Sequence, residues 1–315
     1  MSDTISLGPG REFDVIRDLV RRWGSVAQGI GDDAAVLDVP TGSRLVASTD
    51  ATVENVHFRR AWLNPSEIGY RAATAALSDL AAMAASPIAM LVAMCIPEDW
   101  RAEVGAIADG IGDAARTFET PITGGNLTSG RELALTVTVL GTTPRPLGRD
   151  GARAGDILYA TGTLGGPGSA LRAWESDQEP SAEHRARFAR PSARIREAIW
   201  LADRGATAAI DISDGLMADV QHLAAASAVD MCIELDAIPV ATGASPRAAA
   251  TSGEEYELIV SAPRAIDEHA FARAFGVPLT RIGAVSTAGA AGPLVRLRSH
   301  GAFVDLPSGH DHFSR

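Results

Sequence analysis

Residues 142–155 hold Pro144, Pro146, Gly148, Gly151 and Gly155, a density of breakers that no continuous helix or central strand tolerates. The break falls near the middle of 315 residues, too many for one typical domain, so the expected domains are 1–145 and 146–315. In the first half, apolar positions at Phe13, Ile16, Leu19, Val20 and Trp23 predict a helix over 11–23. Residues 44–49 read as a short strand ending at Asp50, Asn64-Pro65 starts a buried helix over 65–84, and the apolar run 88–96 reads as a buried strand. A helix over 101–118 and a strand over 133–141 complete that half. The second half predicts strands at 156–162, 207–212, 231–235, 257–261, 281–286 and 294–298, with helices at 192–204, 215–227 and 264–275. Residues 175–192 are polar and read as an exposed excursion. Strands and helices mix without strict βαβ alternation, so the fold class expected is α+β in two domains.

Composition then narrows the chemistry. All 28 basic residues are arginine; no lysine occurs. P-loop NTPases and protein kinases need a lysine on their phosphates, and Schiff-base enzymes need its amine, so these classes are excluded. A net charge of −11 disfavours nucleic-acid partners. Cys95 and Cys232 lie in apolar runs and read as buried thiols, in neither a disulfide framework nor a metal motif. Residues 1–10 lack the pattern of a signal peptide, and no run is long and apolar enough for a membrane span, so the expected location is cytoplasmic.

Carboxylates occupy unusual settings. Gly29-Ile30-Gly31-Asp32-Asp33 puts two in a glycine-flanked turn, and Ser48-Thr49-Asp50 ends an apolar strand. Asp79 stands between Ala75, Ala76, Leu77 and Leu80, Ala81, Ala82, and Asp211-Ile212-Ser213-Asp214-Gly215 joins a strand to a helix. A buried carboxylate is costly unless paired or bound to metal. Arginine pairing answers this at any single position; so does a plain turn at Asp32-Asp33, a helix cap at Asp50 or a helix start at Asp214. Convergence on one cleft with hard divalent cations, Mg²⁺ or Mn²⁺, answers all of them together. Gly124-Gly125-Asn126 and Thr161-Gly162-Thr163-Leu164-Gly165-Gly166 are glycine turns that could also bring backbone amides to phosphates, the latter ahead of a helix. Arg149 is a candidate phosphate contact. His57 reads equally as a core histidine.

The ordered set of motifs resembles the thiamine-monophosphate kinase family of the aminoimidazole ribonucleotide synthetase-like superfamily. The matching pieces are Gly29-Ile30-Gly31-Asp32-Asp33, Ser48-Thr49-Asp50 with Val56-His57-Phe58, and Leu77-Ser78-Asp79-Leu80. Gly124-Gly125, Gly148-Arg149, Ala154-Gly155-Asp156 and Ile210-Asp211-Ile212-Ser213-Asp214-Gly215 follow. Gly253-Glu254 ahead of Tyr256-Glu257-Leu258, and Asp311-His312-Phe313, end the series. The resemblance implies N-terminal domains paired into a dimeric β-barrel, and ATP-dependent phosphorylation of thiamine monophosphate to thiamine diphosphate with several Mg²⁺ ions. It implies metal ligation by Asp33, Ser48, Thr49, Asp50, Asp79, Asn126, Asp211 and Asp214. ATP contacts would come from Gly125, Asn126, Arg149 and Ser213, and acceptor contacts from His57 and Glu254. Catalysis would be direct transfer by positioning and charge neutralisation, with no covalent intermediate.

Three departures stand out: Asn126 where the family commonly has aspartate, Asn55 where glycine is common, and Ser252-Gly253-Glu254-Glu255 where Gly-Gly-Glu-Asp is usual. They leave open a relative with another ATP-dependent chemistry, or a degenerate nucleotide-binding regulator.

Overall fold

The computed structural model describes residues 10–305; the Asp311-His312-Phe313 motif lies outside them. The chain forms two compact units. The first runs up to Leu80 and resumes over Ala85–Arg145, while the second takes Ala81–Ala84 and everything from Pro146.

In the first unit, α1 (Arg11–Trp23), β1 (Arg44–Val53), α2 (Pro65–Ala82), β2 (Ser86–Ile96), α3 (Val104–Thr117), β3 (Ile122–Ser129) and β4 (Ala134–Thr143) follow in order. The strands make one open four-stranded sheet, β1-β4-β2-β3, with only the β2–β3 pair parallel. Among the described residues this sheet does not close into a barrel. A capping box starts α2: the Glu67 amide donates to Asn64 Oδ1, and the Asn64 amide donates to the Glu67 carboxylate, both at 2.9 Å. The helix is apolar nearly all round and is buried at Ile68, Ala72, Ala73, Ala76, Leu77 and Leu80. It crosses α3 backbone to backbone. A Cβ on Gly69 would stand 2.0 Å from the Ile107 carbonyl, and one on Gly110 would stand 1.8 Å from that of Ser66. This contact fixes where along the sheet α2 presents Asp79.

Two expectations for this unit change. The strand expected over 44–49 continues to Val53, so Asp50 lies inside β1 rather than at its end. The Gly124-Gly125-Asn126 turn is instead part of β3. Its glycines hid a strand; at Gly125 the parallel partner β2 approaches too closely for a side chain.

The second unit contains β5 (Ile157–Thr161), α4 (Gly166–Glu175), α5 (Ala182–Ala189), α6 (Ile195–Asp203), β6 (Ala208–Asp211), α7 (Leu216–Ser227), β7 (Val229–Glu234), α8 (Pro246–Ala250), β8 (Leu258–Ala262), α9 (Glu268–Phe275), β9 (Leu279–Thr287), β10 (Val295–Ser299) and β11 (Ala302–Val304). The strands form a seven-stranded mixed sheet, β11-β10-β7-β9-β5-β8-β6. One apolar cluster, including Leu158, Ile210, Leu216, Val220, Ile233 and Ile282, packs α7 on this sheet. The expected exposed excursion at 175–192 is wrong for its second part. There α5 buries Phe188 fully, edge-on to Trp174 at 5.3 Å, and sends Arg187 inward. Polar composition concealed it because one aromatic and one internal arginine are enough to anchor so short a helix. Cys95 and Cys232 are half-buried, not fully buried, since each lies on a partly open face of its strand.

Glu257, fully buried, anchors this unit. Its carboxylate accepts from Arg194 Nε and the Thr161 hydroxyl at 2.7 Å each, and from Arg187 at 3.0 Å. The Thr161 hydroxyl accepts in turn from the Leu258 amide at 2.9 Å. Burial alone would raise the Glu257 pKa. The charge and hydrogen bonds of Arg194, then Arg187 and Thr161, outweigh it and hold the pKa at about 2. Asp156 is buried likewise, accepting from the Ser261 hydroxyl at 2.7 Å, the Thr207 hydroxyl at 2.9 Å and the Arg153 amide at 3.0 Å. We predict that Glu257→Gln, which strands two arginines, lowers stability by about 3–5 kcal/mol in urea unfolding. Because the folded pKa lies below the unfolded one, the wild-type contribution is complete above pH 4.5 and fades as pH falls toward 2. The variant should lack that acid-dependent loss.

Candidate functional site

Strand periodicity arranges the first group of candidate residues. On β1, Ser48 and Asp50 point to the side that α2 covers, and the Ser48 hydroxyl donates to the Asp79 carboxylate. Thr49 points to the opposite, open face, where its hydroxyl meets that of Thr138 at 3.0 Å. The side chains of Ser48, Asp50 and Asp79 are therefore on one side of the sheet, and the Thr49 hydroxyl is not among them.

The second group surrounds a cleft of about 480 Å³. The Gln28 amide donates to the Ile122 carbonyl at 2.9 Å, docking the chain beside the start of β3. The Gly29–Asp33 loop therefore lies next to Gly124, Gly125 and Asn126, and Asp32, Asp33, Gly125 and Asn126 all line the cleft. Its other wall is apolar, with Leu19, Trp23 and Met94. Trp23 is held by its indole N–H, which donates to the Ala108 carbonyl at 2.9 Å. Gly125 is required by packing: a Cβ there would stand 1.9 Å from the Val92 carbonyl.

His57 sits in the turn after β1. Its backbone amide donates to the Val53 carbonyl at 2.9 Å, and the Val53 amide donates to His57 Nδ1 at 3.1 Å. Nδ1 is thus an acceptor, which leaves the proton of a neutral imidazole on Nε2. Asn55, whose amide donates to the Phe58 carbonyl at 2.7 Å, has φ 63°. Asparagine is among the few residues besides glycine that tolerate this left-handed conformation, which accounts for its presence here.

In the second unit, β6 delivers Asp211 at its end, and Ser213 and Asp214 follow before α7. Asp219 on α7, which sequence reasoning missed, folds back to accept from the Ser213 and Asp214 amides at 3.1 and 3.2 Å. Burial, then the negative charges of Asp211 and Asp214, push the Asp219 pKa up to about 8 against those two bonds. Its spacing of five residues beyond Asp214, on a helix that starts at the same loop, is the sequence signal that could have found it. Glu254 lies beside the same loop: its amide donates to the Ser213 carbonyl at 2.7 Å, and its carboxylate accepts from the Tyr256 hydroxyl. Arg149 is exposed, and its carbonyl accepts from the Ser227 hydroxyl at 2.6 Å.

The glycine run 161–166 is a different matter. The N-terminus of α4 already receives an internal anion: the Gly165 amide donates to the Glu255 carboxylate at 2.6 Å. That turn is mostly buried and occupied, so the reading of it as a phosphate cradle is withdrawn. Among the described residues, no three His, Cys, Asp or Glu side chains stand in ready metal-binding geometry. The donors present are nonetheless hard oxygens, and the like-charge crowding of Asp211, Asp214 and Asp219 is what a divalent cation relieves.

Comparison with known proteins finds the same two-domain pattern. The N-terminal-domain model of AIR synthase related proteins matches residues 31–143, and the C-terminal-domain model matches 153–293. Fold and domain pattern together define an AIR synthase related protein. A thiamine-monophosphate kinase of Rhodopirellula baltica is 37% identical over 293 residues, spanning 86% of this chain and 87% of the relative. The crystal structure of thiamine-monophosphate kinase from Stenotrophomonas maltophilia superposes with a TM-score of 0.78 at 32% identity, covering 94% of this chain and 98% of that one. AaThiL complexed with AMPPCP and TMP gives 0.75 at 29%, covering 99% and 100%. The chain belongs to the thiamine-monophosphate kinase family.

The two glycines of β3 separate packing from chemistry. A Cβ on Gly124 meets nothing closer than Leu91 Cδ2 at 3.5 Å, an ordinary contact. Thermal melts should show Gly124→Ala close to wild type and Gly125→Ala less stable by about 2 kcal/mol.

Proposed function

We propose that this chain catalyses ATP-dependent phosphorylation of thiamine monophosphate to thiamine diphosphate, as a phosphotransferase whose acceptor is itself a phosphate. The observation that carries the reading is Asp79: a carboxylate in an apolar helix, set against Ser48 on the strand face shared with Asp50. Hard oxygen donors gathered on one face are the set that a divalent cation takes, and phosphoryl transfer from ATP uses such a cation. Family membership and the relative complexed with AMPPCP and TMP support the same reading.

The cleft beside α1 suits ATP, since a flat base can lie on Trp23 and Leu19 while phosphates reach toward the Gly125 and Asn126 end. Asp33, Ser48, Asp50, Asp79 and Asn126 of the first unit, and Asp211 and Asp214 of the second, are the residues that would hold Mg²⁺. Bound there, Mg²⁺ would neutralise the triphosphate and the charge that shifts during transfer. Thr49 would take part only through its backbone. Ser213 and Arg149 would contact ATP, and Glu254 the acceptor. His57 would donate to the acceptor from Nε2, because Val53 holds Nδ1 as an acceptor. An acceptor phosphate is already a competent nucleophile, so these groups need only bind and orient; no strong base is required.

A homodimer belongs to the same proposal. Strand β1 is the end strand of its sheet, and its open face presents Leu45, Ala47, Thr49 and Ala51, with Leu45 51% exposed. An edge of ten residues with so apolar a face supports pairing with a second copy, the step that would complete a barrel. A cytoplasmic location is proposed as well; among the described residues no helix is long and apolar enough to cross a membrane.

Incubating the protein with ATP, Mg²⁺ and thiamine monophosphate should yield thiamine diphosphate by chromatography. ATP turnover only with a different acceptor, or binding without turnover, would refute the proposal. Asp50→Ala and Asp79→Ala should each reduce the rate by about a thousandfold or more with the fold intact by circular dichroism. Asn126→Asp should lower the Mg²⁺ concentration giving half-maximal rate.

A further inference from the structure

Glu255 is used by none of the steps above, yet it is 1% exposed and sits in a conformationally costly place. Its neighbours Glu254 and Tyr256 both have left-handed backbones, at φ 61° and 54°, and neither is glycine. Such a pair persists only where surroundings over-determine it. One restraint is the Asp211–Asp214 loop. The Ser213 carbonyl accepts from the Glu254 amide, and the Ile212 carbonyl accepts from the amides of Glu255 and Tyr256 at 3.1 and 2.9 Å. The other restraint is the Glu255 side chain, which reaches away from that loop into the start of α4. There Oε1 accepts from the Gly165 amide at 2.6 Å, and the adjacent Ser252 hydroxyl accepts from the Gly168 amide at 3.0 Å. The helix N-terminus favours the negative charge.

The dock is only half satisfied. Glu255 Oε2 is buried with no hydrogen-bond partner, 3.6 Å from Arg187, which is engaged with Glu257. Burial pushes the Glu255 pKa up to about 7, against the Ser252 and Gly165 hydrogen bonds and the Arg187 charge, with Glu257 opposing them. A carboxylate maintained at this cost, when an apolar side chain would fill the space, implies a demand on geometry.

We propose that Glu255 is a positioning residue for the acceptor: docked on the α4 N-terminus, it holds the 252–256 segment in the left-handed form that sets the Glu254 carboxylate beside the Asp211–Asp214 loop. This rests on the assignment of Glu254 to acceptor binding. The segment is gripped from two sides, the loop through its backbone and α4 through Glu255. Weakening the second grip lets Glu254 relax away from the acceptor while the loop, held independently by Asp219, stays in place.

The test is steady-state kinetics of wild type, Glu255→Asp and Glu255→Gln, varying ATP and thiamine monophosphate separately. Loss of charge in Glu255→Gln should raise KM for thiamine monophosphate about tenfold while KM for ATP changes less than about twofold. Glu255→Asp, which keeps the carboxylate, should recover most of the acceptor affinity. If Glu255→Gln does not fold, Ser252→Ala loosens the same dock at Gly168 and should give the same split. Equal rises in both KM values, unchanged acceptor KM, or Asp behaving no better than Gln would overturn the proposal. A wild-type protein without activity on thiamine monophosphate would instead refute the assigned function, a separate outcome.

Discussion

A carboxylate can be buried only if something stands in for the water it loses, and the ways this chain meets that condition sort its acidic residues by role. Asp156 has two hydroxyls and an amide on it, and Glu257 has two arginines and a hydroxyl. Both are satisfied within the fold, and both tie distant strands and helices together. Asp219 and Glu255 are different. Their pKa values are driven upward because internal partners do not fully replace solvent, and both flank the loop on which Asp211, Ser213 and Asp214 lie. Complete internal satisfaction marks architecture, and incomplete satisfaction marks the neighbourhood where a ligand is expected.

The same distinction explains what could be read from the residues alone. The two-part organisation was legible because breakers at 142–155 have local consequences. The amphipathic α1 and the apolar α2 were legible because burial imposes a period on sequence. Asp79 was legible because a single acid among alanines and leucines has few explanations. By contrast, β3 was hidden: its Gly124 and Gly125 are the signature of a turn, and only the Val92 carbonyl pressing on Gly125 shows why a strand would carry them. The 161–166 turn misled for the opposite reason. Its glycines and following helix have the form of a phosphate site, but the anion it receives comes from ninety residues further along the chain. Strand alternation already sets Thr49 apart from Ser48; Asp50 joins the Ser48 side because β1 continues through it to Val53.

Departures from the family pattern also acquire physical meaning. Asn55 replaces a common glycine at a left-handed position and is one of the few residues able to do so. Glu255 stands where aspartate is usual and keeps a carboxylate at that position, here accepting from the Gly165 amide. Asn126 keeps an oxygen donor at the polar end of the cleft while removing one negative charge.

The internal cations of the second unit are guanidinium groups, Arg187 and Arg194, in a chain that has no ammonium side chain at all. A guanidinium keeps its proton far into the alkaline range, where an ε-amine would already have lost one. Alkaline unfolding of this unit must therefore begin at some other group, and reagents that acylate ε-amines would leave its inner charge balance untouched.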